Sequence, residues 1–130
     1  MAGRGQILLR MRDCRQASTA VESAIILPVM LLLLLGGMEA ARLAWERSAL
    51  QFTVQEAARC AVVQPGVCGT TAQIQSFAAS KVAGFSIPTA DFAVTTPACG
   101  TQVAASVPYS FALFPIFAAA PTLSARVCRS

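Results

Sequence analysis

Five cysteines and six carboxylates are the groups in this 130-residue sequence best suited to bond, ligate or move a proton, and no histidine accompanies them. Without histidine, neither a Ser-His-Asp nor a Cys-His nucleophile arrangement can be built, and the usual His-containing zinc sites are excluded. The carboxylates beyond residue 38, Glu39, Glu46, Glu56 and Asp91, show no clustering that would pair a general acid with a general base. The residue types therefore point away from an enzyme and call for no cofactor and no metal. Asparagine is absent as well, which leaves no N-glycosylation acceptor.

Cys60, Cys68, Cys99 and Cys128 are an even set in a segment too small for a large core. That pattern reads as two disulfides of an exported head. A four-cysteine zinc site is the competing use, and no Cys-x-x-Cys spacing supports it. Four cysteines permit three connectivities, and spacing alone does not choose among them. A three-strand meander ending at Cys128 would bring it near a turn at Cys99-Gly100. This favours Cys99–Cys128 and leaves Cys60–Cys68 to close the Pro65-Gly66 turn. Cys14 precedes the apolar run, on the reducing side.

Glu22 is the one charge between Ser18 and Met38. An isolated carboxylate at the mouth of a membrane span costs a few kcal/mol on insertion scales. A cut between Ala17 and Ser18 would place a new α-amine on Ser18 at the depth of Glu22, where it could pair within a chain or between chains. Alternatively, Glu22 sits at the headgroup level and is solvated. The residue types leave both readings open.

Three segments position these groups. The chain is 55% hydrophobic and 12% charged, against about a quarter charged in soluble domains. Residues 18–38 centre on Ile25-Ile26-Leu27-Pro28-Val29-Met30 and five leucines, and about 20 apolar helical residues cross a bilayer core. A cleaved secretory signal, with its small-residue site near Ala40 and Ala41, is the alternative. The length of the run, the glutamate inside it and the helical pattern beyond it favour retention. That pattern continues to about residue 63, with Leu43, Leu50, Val54, Ala57 and Ala61 on one face. Glu39–Arg42, Arg42–Glu46 and Glu56–Arg59 stand at pairing distance on the other. Pro28 and Gly36-Gly37 are expected soft points, and Trp45 is expected to pack against the head.

The sequence thus divides into a basic leader (1–17), a transmembrane helix (18–38, continuing to about 63) and a head (64–130). Net charge is +4. Arg4, Arg10, Arg12 and Arg15 precede the apolar run, where positive charge holds a segment in the cytoplasm and does not read nucleic acid. In the head, Thr70 or Thr71 caps a helix from Ala72 to Ala83 that ends at Gly84, with Ile74, Phe77, Ala78 and Val82 inward. Strands follow at 92–96, 102–113 and 122–128, with Val103, Ala105, Val107, Tyr109, Phe111, Leu123, Ala125 and Val127 alternating inward. The fold class is α+β: a long membrane-spanning helix, then a short helix and an antiparallel sheet of about three strands. Phe114, Ile116 and Phe117 read either as a contact patch or as cover for the long helix.

The stretch from Arg12 to Pro28, with its Ala17-Ser18-Thr19-Ala20-Val21-Glu22 core and following leucines, resembles the TadE-like family of pilin-related proteins. Arg42-Leu43-Ala44-Trp45 and residues 55–63 resemble it too. The resemblance covers residues 12–63 and implies a pseudopilin or minor pilin of a tight-adherence type IV pilus, supporting surface adhesion. It further implies a bacterial inner-membrane protein, with the N-terminus cytoplasmic and the head periplasmic or extracellular. A prepilin peptidase acting at Ala17 and Ser18, other pilus subunits, assembly-platform proteins and membrane lipid are its implied partners, and no nucleic acid. Ala17 stands where such sites usually have glycine, and Ser23 where an aromatic usually follows the glutamate. A single-pass tethered binding module unrelated to pili is the alternative from another class.

Overall fold

The computed structural model describes residues 4–112 and 121–130, with side chains from Ser18 onward. Its elements are α1 (Arg4–Val63), α2 (Thr71–Lys81), a 3-10 turn (Thr89–Asp91), β1 (Phe92–Thr95), β2 (Thr101–Pro108) and β3 (Thr122–Arg129). This is the expected α+β architecture. Two compact units divide between Met38 and Glu39.

In the first unit every side chain from Ser18 to Met38 is exposed. The most apolar window of the helix has a mean hydropathy of 2.2 with 6% of it buried, which makes it long and apolar enough to cross a membrane. The helix continues through Pro28, and it starts at Arg4, ahead of the expected Ser18. Arginine, glutamine, leucine, methionine and alanine fill most of the preceding stretch, and all are good helix formers.

The second unit is organised around the last part of α1. Leu50, Val54, Ala57 and Ala58 of α1 are buried with Ile74 and Ala78 of α2 and with Ile87. The inner face of the sheet supplies Phe92, Val103, Ala105, Leu123 and Ala125 to the same core. Thr53 is fully buried in this region, and its hydroxyl has no hydrogen-bond partner among the described residues. The helix α2 starts where a capping box permits. The Thr70 hydroxyl accepts from the Gln73 N–H, while the Gln73 side chain accepts from the N–H groups of Thr70 and Gly69. It ends at Val82 before Gly84 is reached, and Gly84 takes the positive φ of 90° in the following loop.

The strands pair antiparallel in the order β1-β2-β3, with Phe92 opposite Ala105 and Ala105 opposite Ala125. The inward alternation follows the sequence expectation, but β2 stops at Pro108 and does not reach residue 113. Tyr109 still donates its N–H to the Pro121 carbonyl at 2.9 Å. Pro121 has no N–H to return, and three residues after Tyr109 the N–H of Ala112 turns to α1 instead. Trp45 meets the head at one point: its indole nitrogen lies beside Gly84, while the side chain is 62% exposed. The patch of Phe114, Ile116 and Phe117 lies outside the described residues.

Candidate functional site

The first charged residue after the apolar run is Glu39, and α1 turns it inward to 6% exposure. A carboxylate so placed must find donors. The Tyr109 hydroxyl donates to Glu39 Oε1 at 2.7 Å, and the N–H of Ala112 donates to the same oxygen at 3.1 Å. The Glu39 backbone carbonyl lies 3.4 Å from that hydroxyl. Tyr109 itself is 1% exposed. Its ring meets Phe111 edge-on at 5.2 Å and carries the Arg42 guanidinium 5.6 Å from its centre. Arg42 also donates to Glu46 at 2.9 Å. Burial first, and then the hydrogen bond to Glu39, push the Tyr109 phenol up to about 12.

This cluster ties the end of β2 to the first turn of α1 in the second unit. The sequence reading placed Glu39 on a solvated face beside Arg42 and so missed it. The usable signal was Tyr109, the single tyrosine, standing at an inward position of the alternation. A buried phenol seeks an acceptor, and the carboxylates of the helical pattern beyond the apolar run, Glu39, Glu46 and Glu56, are a short set.

Ala17, Ser18 and Glu22 all lie within α1. Ser18 and Glu22 are exposed, and their spacing of four residues puts them on one side of the helix. The remaining site cysteines are bonded as Cys60–Cys68 and Cys99–Cys128, with Cα separations of 5.7 and 6.2 Å. Four bonded sulfurs leave no thiolate set for zinc. The first disulfide closes the turn after α1, where the N–H of Cys68 donates to the Gln64 carbonyl. The second joins the β1–β2 turn to β3. That turn needs Gly100 at a φ of 109°, and a Cβ there would collide with the Arg129 carbonyl. Arrangements of this kind position elements of the chain. Among the described residues no group of three or more potential metal ligands occurs.

Residues 17–59 match the family model described as TadE-like protein. The matched range lies within residues 12–63, which carried the resemblance; it runs from Ala17 through Glu22 and the leucine run to Arg59 and stops before the first disulfide. No curated protein and no solved structure matches the chain.

Proposed function

We propose that this TadE-like, Tad pilus-associated membrane protein acts as a pseudopilin or minor pilin in assembly of the tight-adherence pilus. The observation that carries the reading is the family match at 17–59, which includes the exposed apolar stretch of α1 at residues 18–38. On this reading the helix anchors the chain in the inner membrane, the arginines before Ser18 hold the N-terminus in the cytoplasm, and the head works outside. The role is structural, not catalytic. Prepilin peptidase cuts between Ala17 and Ser18, and the assembly platform and other pilus subunits receive the product.

Glu22 is then the assembly carboxylate. Cleavage creates an amine on Ser18 one helical turn away, and in apolar surroundings the carboxylate of one subunit meets the amine of its own chain or a neighbour's. Glu22→Gln keeps size and hydrogen bonding while removing charge, so insertion and abundance should hold. Losing one member of a buried pair costs several kcal/mol, so incorporation should fail. N-terminal sequencing should still find Ser18 first, while co-purification with other pilus components drops. Processing and assembly at the wild-type level would make Glu22 a solvated headgroup residue and remove it from the assembly role.

A further inference from the structure

Among the described residues the sheet order leaves β3 with a partner on one side only. Its free backbone groups follow from the ladder. Tyr109 and Pro121 form a hydrogen-bonded pair, so the alternation of an antiparallel ladder bonds Leu123, Ala125, Val127 and Arg129 to β2, opposite Val107, Ala105, Val103 and Thr101. The N–H and C=O groups of Thr122, Ser124, Arg126 and Cys128 therefore point away from the sheet. Along the first half of that edge runs a groove of about 540 Å³ between β3 and α1. Its α1 side is Ala40, Leu43, Ala44, Arg47 and Ser48, its other side starts at Pro121, and no residue of β1 or β2 lines it. Small side chains at 40, 44 and 48 let a backbone approach the helix, while Leu43 and Leu123 offer apolar contact.

Charge selects the occupant. Arg47 lines the groove and joins no ion pair among the described residues, where Arg42–Glu46 is the pair present. Arg126 is exposed on the same strand, and Arg129 follows at its end. Two β3 edges pairing with each other would gather Arg126 and Arg129 of both copies on one ribbon, and like charges brought together across strands are destabilising. An acidic strand meets no such penalty.

We propose that the free edge of β3 and its groove receive an extended segment of another protein, which adds one strand to the sheet and sets a carboxylate opposite Arg47. Main-chain hydrogen bonds to Thr122, Ser124 and Arg126 supply affinity, and the groove reads alternate side chains. The proposal does not rest on the pilus reading, since any acidic extended segment outside the membrane would serve.

The test uses the full chain in phospholipid nanodiscs and residue-resolved amide exchange. The probe is a blocked nonapeptide with threonine at even positions, valine at odd positions and aspartate at the fifth. Its addition should slow exchange at Thr122, Ser124 and Arg126 by about tenfold or more, while Leu123, Ala125 and Val127 are slow throughout. A peptide with lysine at the fifth position should bind at least about tenfold more weakly, and Arg47→Glu should reverse that preference. Three results overturn the proposal. Slow exchange at the outward amides of the free chain would mean the groove is already filled from within. Protection that rises with protein concentration alone would mean two copies pair there. No protection by peptide, or a preference that Arg47→Glu leaves unchanged, would mean the edge is not a docking site.

Discussion

Tyr109 gives the head a spectroscopic reporter of its own packing, because the chain has one tyrosine. Its phenol should ionise near 12 in the folded chain and near its ordinary 10 once unfolded, read as tyrosinate absorbance against pH. The folded state holds this proton more tightly, so the stabilisation is complete below pH about 10 and is lost as pH rises toward about 12. Glu39→Gln removes the carboxylate but not the burial. The midpoint should fall part of the way back and stay above 10, since burial is the larger cause. A midpoint near 10 in the folded wild type would show that the ring is solvated and the Glu39 contact is not made. At this scale the sequence was only partly legible. Val103, Ala105, Leu123 and Ala125 could be placed inward by alternation alone, because period two is a local property of a strand. Glu39 could not, because its partner lies 70 residues away and helical spacing offered Arg42 first.

The elements were legible where local chemistry decides them. Thr70 and the turn after Val63 mark the start of α2 by groups a few residues apart, and the structure adds Gln73 to that cap, whereas the end of β2 depends on what the chain meets at α1. Both disulfides follow from the turn placement, one at the end of α1 and one closing the meander. Their loops differ in length, with sequence separations of 8 and 29. Loop-closure entropy then assigns about 2.5 kcal/mol to Cys60–Cys68 and about 3.6 kcal/mol to Cys99–Cys128. Replacing each pair by alanines and measuring chemical denaturation of the head should therefore find the Cys99–Cys128 variant less stable by roughly 1 kcal/mol. The reverse order would mean that Cys60–Cys68 does more than shorten the unfolded chain, for instance by holding the last turn of α1 together.

The two units differ in the surroundings they suit. The exposed apolar side chains of residues 18–38 belong to a helix long and apolar enough to cross a membrane, while the unit from Glu39 onward buries a core and carries two disulfides. Orientation and redox state are therefore coupled. Basic residues before Ser18 favour a cytoplasmic N-terminus, and only the opposite orientation would place the cysteine pairs among cytosolic thiols, where disulfides are rarely kept. Cys14, ahead of the apolar run in the sequence, serves as an internal reference. Alkylation of denatured protein from acid-quenched cells should label Cys14 in the precursor without reductant and the other four cysteines only after reduction. A reporter that works only outside the cytoplasm, fused after Ser130, should be active in the same cells. The two readouts must agree: an active cytoplasmic reporter together with four freely labelled head thiols would reverse the orientation and remove the pilus reading with it. Oxidised head cysteines beside an inactive external reporter would locate the fault in the fusion, because no reducing compartment would leave both bonds formed.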